Sequence, residues 1–172
     1  MNNPSLTTER LRLRQFSAQD IDPLHAILQQ PDILRYFPRS DAPPREAIER
    51  LITRQLNDWE KHGYGWWAVE WTHQPGLLGW AGLGYLPETD ETEVAYLLRR
   101  EVWGQGLATE AATAALAFGF ASFDLPLIIG ITHPENRASQ RVLEKSGLVF
   151  VEKTVYFGMD CYRYVIQRPP AS

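Results

Sequence analysis

The stretch that decides the reading of this chain is VWGQGLATEA, residues 102–111. Two glycines, among the poorest helix formers, open an alanine-rich run that continues to Phe120. Before them stands EVAYLLR, residues 93–99, which reads as a strand. A strand–turn–helix junction of this kind gathers the unsatisfied N–H groups of the first helical turn at one spot. Those donors and the helix dipole together suit an anion. Glycine at such a junction brings bare backbone close to a ligand and permits unusual φ/ψ values. Spacing alone leaves an alternative, a plain glycine turn leading into a close-packed helix. The stretch is not a P-loop, since the GK[ST] ending is missing, and GWAGLG (79–84) lies within a strand and opens no helix.

Composition frames the rest. A chain of 172 residues that is 44% apolar and 22% charged suits one soluble domain, expected to span 1–172 with its core over about 6–166. A net charge of −4 and the absence of a long basic cluster argue against a nucleic-acid partner. No apolar run approaches the length of a membrane span, and a cytoplasmic location is the default expectation. Cys161 is the single cysteine and the four histidines are scattered, so neither a disulfide nor a metal site is expected.

Periodicity gives the element order. LTTERLRLRQF (6–16) reads as one strand, followed by a helix with Ser17 as N-cap and Asp20 completing an acidic capping box. A second amphipathic helix runs from about Arg45 to Lys61, with Ile48, Leu51, Ile52, Leu56 and Trp59 as its stripe. WWAVEW, LLGWAGLGYL and EVAYLLR form an antiparallel meander. The alanine-rich helix, the strand PLIIGITH, the helix NRASQRVLEKSG and a closing antiparallel pair around GMD complete the chain. The class is α+β, with one mixed, mostly antiparallel sheet of about seven strands and helices on both faces.

WGQGLATEA, preceded by EVAYLL and followed by HPENRASQRVLEKSGL, resembles the GNAT acetyltransferase superfamily. With LTTERLRLRQFSAQDI near the start, the chain is similar to the branch of ribosomal-protein N-terminal acetyltransferases, the Rim type. The resemblance covers about residues 6–166 and rests on three motifs in order. It implies a sheet splayed between the fourth and fifth strands and acetyl-CoA as acyl donor. It places the pyrophosphate on the amides of Gly104, Gln105, Gly106, Leu107, Ala108 and Thr109, although Trp103 stands where the family carries Gln or Arg. It places the pantetheine arm along Leu97, Leu98 and Arg99, and gives Asn136 a contact to the coenzyme. The family's frequent tyrosine acid is replaced here by Leu143.

Acetyl transfer to an amine needs a base for the ammonium proton, N–H donors for the developing oxyanion and an acid for the leaving thiolate. Glu93 is the candidate base, acting through one water, with Glu91 as substitute; a solvated strand-end carboxylate is the alternative. Ser139 is the candidate acid, against a serine that only bonds the start of its helix, and Tyr96 and Tyr156 are further donors. Trp66 and Trp67 must point to opposite faces, so at most one lines an acceptor cleft, and most tryptophans are expected in the core. Arg99, Arg100 and Arg137 could meet coenzyme phosphates or be solvated.

The expected activity is direct transfer, in a ternary complex, to a primary amine on a protein N-terminus or a small molecule. The chain would act as monomer or homodimer. Two alternatives are a non-catalytic acyl-CoA-binding module and an unrelated nucleotide-binding protein.

Overall fold

The computed structural model describes residues 4–170. Its first departure from the sequence reading is at the N-terminus. Thr8 turns the chain: its amide donates to the Leu11 carbonyl at 2.8 Å and its Oγ1 accepts the Leu11 amide at 3.0 Å. One expected strand therefore becomes an antiparallel hairpin, β1 (Leu6–Thr7) and β2 (Leu11–Arg14). The sheet accordingly has eight strands rather than about seven.

A 3-10 turn (Ala18–Asp20) leads into α1 (Ile21–Leu28). The Ser17 amide donates to Asp20 at 2.8 Å, as a capping box requires. Asp20 also accepts two bonds from the Arg14 guanidinium, at 2.8 and 2.9 Å, which ties the helix start to β2. Burial alone would raise the Asp20 pKa, but the bonds from Arg14 and Ser17 outweigh it and hold the carboxyl below its usual range. Helix α2 (Arg45–His62) buries Ile48, Ile52, Gln55 and Trp59 and stops on Gly63, whose φ is 75°.

Strands β3 (Trp66–Trp71), β4 (Leu77–Leu86) and β5 (Glu91–Leu98) form the expected meander. A short 3-10 turn (Arg100–Val102) and the glycine stretch lead to α3 (Leu107–Ser122). Then come β6 (Leu127–Thr132), α4 (Arg137–Lys145), β7 (Val149–Tyr156) and β8 (Met159–Gln167). The last hairpin turns on Phe157 and Gly158, one residue earlier than GMD suggests, with φ of 54° and 75°.

The sheet order is β1-β2-β3-β4-β5-β6-β8-β7. All pairs are antiparallel except β5 with β6, which is parallel and registers at one position only, Glu93 with Ile129. This is the expected splay; the extra N-terminal strand merely renumbers it. One face of the sheet packs on α3 and α4 through Trp67, Ala111, Ala112, Ala115 and Leu143, among others, and Trp59 from the last turn of α2 joins this cluster. The other packs on α1 and α2 through Leu24, Ile48, Ile52, Ala68 and Trp80. The alanines of α3 let its axis lie close to the sheet, the role small side chains at that helix predict. No helix among the described residues is long and apolar enough to cross a membrane.

Candidate active site

Past Glu93 the strands β5 and β6 separate, and the freed edge of β5 faces the opening. A regular antiparallel strand turns alternate peptide groups to alternate sides. The Arg99 amide donates to Leu78 on β4 at 2.7 Å, and the Leu97 carbonyl points at Gly79 of β4 so closely that a Cβ there would collide with it. Leu97 and Arg99 thus turn these groups to β4, while Leu98 and Tyr96 turn theirs to the opening. The Leu98 carbonyl already accepts the Trp103 indole N–H at 2.7 Å. Trp103, 51% exposed, therefore occupies the edge of the opening.

At the far end of the opening lies the glycine loop. Gly104 and Gly106 have φ of 73° and 78°, the left-handed region where a side chain is strained. Among the described residues, none of the amides from Gly104 through Thr109 donates to another group of the chain; the first helical bond runs from Glu110 to the Gly106 carbonyl. Free donors, the positive end of a 16-residue helix and bare glycine backbone fit a diphosphate, so the chain's own residues suit the coenzyme that the resemblance implies. Arg10 holds the loop from outside. Its guanidinium donates to the Gln105 carbonyl at 2.9 Å and to Glu110 at 2.7 Å. Thr8 Oγ1 donates to the same carboxylate at 2.6 Å. Sequence reading missed this clamp because its partners lie about a hundred positions apart and leave no local pattern.

Asn136 caps α4, its side chain accepting the Ser139 amide at 3.1 Å. Ser139 Oγ lies 2.9 Å from the Tyr96 hydroxyl, which also donates to the Ser139 carbonyl at 3.2 Å. This pair bridges β5 to the first turn of α4 across the opening. Burial pushes the Tyr96 phenol well above its ordinary pKa, with the Ser139 bond a smaller opposing effect. Arg99 pairs with Glu101 at 3.1 Å and Arg100 donates to the Pro31 carbonyl at 2.9 Å, so both are engaged within the chain. Arg137 is exposed.

Glu93 lies inside β5, which begins at Glu91, so it is not a strand-end residue. It is half-buried and makes no hydrogen bond within the described chain, and burial pushes its carboxyl up to about 7. It faces the side of α1 and α2, opposite to Tyr96 and Ser139. Glu91 is differently placed. It accepts the Tyr156 hydroxyl at 2.7 Å and Arg163 at 2.5 Å. Burial would raise its pKa, but these bonds prevail and lower it. Tyr156, raised by burial and by Glu91 to about 12, is committed to the same cluster. Trp66 and Trp67 do point apart. Trp67 is buried against Trp59, and Trp66 stacks on Trp80 with ring centroids 3.7 Å apart, on the Glu93 side.

A sheet opened at one parallel pair, with amide donors at one end and a carboxylate and a hydroxyl pair on opposite faces, defines a class of enzyme that joins an extended anionic donor to a second substrate. The chain belongs to the GNAT acetyltransferases: residues 10–149 match the acetyltransferase (GNAT) domain. It is 30% identical to the uncharacterized N-acetyltransferase YoaA of Bacillus subtilis over 84% of this chain and 82% of that one. Its fold superposes on an acetyltransferase from Agrobacterium tumefaciens with a TM-score of 0.85, at 24% identity over 95% of this chain and 94% of that one. It also superposes on a ribosomal-protein-S5-alanine acetyltransferase from Vibrio fischeri with a TM-score of 0.79, at 17% identity over 96% and 97% of the two chains. The chain is an acetyltransferase, and its structural neighbours include the Rim-type enzymes that its sequence resembles.

Proposed function

We propose that the protein transfers an acetyl group from acetyl-CoA to a primary amine by direct attack, with both substrates bound together. The observation that carries this reading is Glu93: a carboxyl without a hydrogen-bond partner in the described chain, raised to about 7, beside the opening and across the strand from Tyr96 and Ser139. Acetyl-CoA, when bound, supplies an activated thioester carbonyl. The free amides of Gly104 through Thr109 hold its diphosphate, and the outward-facing groups of Leu98 and Tyr96 receive the pantetheine arm, the Trp103 indole giving up the Leu98 carbonyl as the arm enters. Near pH 7 Glu93 is partly ionised and takes the proton of an ammonium that arrives from the α1–α2 side. The Tyr96 hydroxyl donates to the Ser139 carbonyl, and the Ser139 Oγ proton, shared with the Tyr96 oxygen, turns to the departing sulfur.

The acceptor is a protein N-terminus or a small-molecule amine, and the Rim-like fold supports the first. Mass spectrometry of products from acetyl-CoA with amines, amino acids and ribosomal N-terminal peptides tests the reading. One acetylated amine is the expected result; release of CoA without an acetylated product from the whole panel counts against transfer to amines. Ser139→Ala is expected to lower kcat by roughly 10²-fold with the acetyl-CoA Kd little changed, and Tyr96→Phe to fall between it and wild type. A near-normal kcat in both variants removes the hydroxyl pair from the reaction.

A further inference from the structure

The carbonyl that the coenzyme arm would meet on β5 is already taken. Trp103 Nε1 donates to the Leu98 carbonyl at 2.7 Å, at the short end of the range for such bonds. To reach it the chain doubles back through the 3-10 turn Arg100–Val102, where the Val102 and Trp103 amides donate to the Arg99 and Arg100 carbonyls at 3.2 and 3.1 Å. The ring is braced as well as bonded. The Arg100 guanidinium lies 5.6 Å from the centre of the indole, within cation–π range. Arg100 is itself fixed to the segment after α1: its guanidinium donates to the Pro31 carbonyl and its amide to Gln30 Oε1, both at 2.9 Å. The Gln30 side-chain nitrogen in turn donates to both Glu101 carboxylate oxygens, at 2.8 and 2.9 Å. The pose of an exposed ring is thus built by several partners.

A strand margin offers its outward carbonyls to any N–H donor that lies along it. The coenzyme arm carries amide N–H groups, and the indole offers Leu98 the same kind of donor. A carbonyl oxygen has two lone pairs and could accept twice, but the edge of the ring that touches the Leu98 peptide lies where the arm would lie. We propose that Trp103 is a latch on the donor site: in the coenzyme-free protein its indole stands in for the coenzyme arm on Leu98, and the arm seats only when the ring swings out to solvent. The exchange replaces one N–H···O bond by another, and no covalent bond changes. The latch rests on the arm lying along β5, as proposed above.

The latch acts on affinity rather than on chemistry. Only the open fraction of the protein receives the arm, so the apparent Kd for CoA is the intrinsic value divided by that fraction. What lifts the latch is also restricted. A nucleotide that carries a diphosphate but no arm reaches the amides of Gly104 through Thr109 and leaves Leu98 to Trp103. While the site is empty, one margin carbonyl stays satisfied that a foreign strand would otherwise find open. Trp103 is a gating residue: it touches no reacting atom, and its loss is expected to help coenzyme binding rather than harm it.

Nuclear magnetic resonance of the nitrogen-labelled, coenzyme-free protein tests this on wild type, with the Trp103 indole signal assigned by its loss in Trp103→Phe. Saturating ADP is expected to move the amides of Gly104 through Thr109 and leave the Trp103 indole in place. CoA is expected to move those amides, the Leu98 amide and the indole, and to speed exchange of the indole proton with water about tenfold or more as it loses its acceptor. Trp103→Phe keeps a ring and removes the donor. In calorimetry it is expected to bind CoA about fivefold more tightly than wild type, the shift that one neutral hydrogen bond allows, and ADP equally well. An indole that stays put while CoA moves the Leu98 amide overturns the latch, and so does an indole that ADP moves as far as CoA does. Unchanged or weaker CoA binding by Trp103→Phe also overturns it, making the ring a bystander or a coenzyme contact. If CoA binds without moving the Leu98 amide, the arm does not lie along β5, and that placement has failed together with the latch. If CoA does not bind at all, the acetyl-CoA reading itself falls.

Discussion

Glu93 and Glu91 differ by two positions and face the same side of β5, yet their carboxyls are driven in opposite directions. Glu91 has Arg163 and Tyr156 as partners and is held below the usual carboxylate range. Glu93 has burial alone and rises to about 7. The sign of the consequence follows. Because the folded pKa of Glu93 lies above its unfolded value, the folded state holds a proton that the unfolded state has released between about 4.5 and 7. Stability therefore falls across that window as pH rises, by an amount on the order of 3 kcal/mol. Glu93→Gln removes this loss. It is expected to gain stability over wild type at pH 8 and little at pH 4, as measured by denaturant unfolding at the two pH values. The same substitution is expected to lower kcat/KM by about 10²-fold near pH 7, partly restored at high pH where the amine arrives neutral. A variant whose pH–rate profile superimposes on wild type from pH 6 to 9.5 would make Glu93 a bystander. A residue that costs stability while supporting chemistry is what a functional site is expected to contain.

Among the elements, the junction of β5 with α3 combines backbone that must be bare with backbone that must be held. Gly106→Val meets a φ of 78° that a branched residue resists, and its Cβ would stand 3.6 Å from the Arg10 guanidinium that clamps the loop, so the loop must shift. It is expected to weaken CoA binding by on the order of 2 kcal/mol in calorimetry. Arg10→Ala leaves the amides untouched but frees the loop from β2. It is expected to raise the Kd for CoA several-fold without changing kcat at saturation, the pattern of lost positioning, and an unchanged Kd would show that the loop holds its own shape. This junction was legible in the sequence because its chemistry is local: glycines, a strand before them and small helical residues after them lie within twenty positions. The N-terminal hairpin was not. Leu11 and Leu13 alternate with polar residues as in one strand running on from Leu6, and the break before them depends on Thr8 bonding both Leu11 and the distant Glu110. The Ser139–Tyr96 pair lies 43 positions apart and was likewise hidden, although each residue was named separately. The burial of Glu93 also could not be read, since it depends on where β6, and β8 beyond it, come to lie.

At the scale of the molecule, three buried or half-buried carboxyls, Asp20, Glu91 and Glu110, have depressed pKa values because hydrogen bonds outweigh burial. They join β2 to α1, β5 to β8 and the first hairpin to α3. Their stabilisation is complete above the ordinary carboxylate range and is lost as pH falls through the folded values. Acid is thus expected to loosen all three junctions together, and Arg14→Gln to move the acid unfolding midpoint to higher pH by removing the partner of Asp20. The parallel pair of β5 and β6, registered at Glu93 and Ile129 alone, bears on how the chain is made. Synthesis delivers β1 through β5 first, and their meander can close before β6 has left the ribosome. The newborn molecule then carries an uncovered β5 margin, which the last forty or so residues only partly conceal. A coenzyme lying along that margin would protect it from association with other unfinished chains. Cells short of CoA would accordingly accumulate less soluble protein at the same rate of translation.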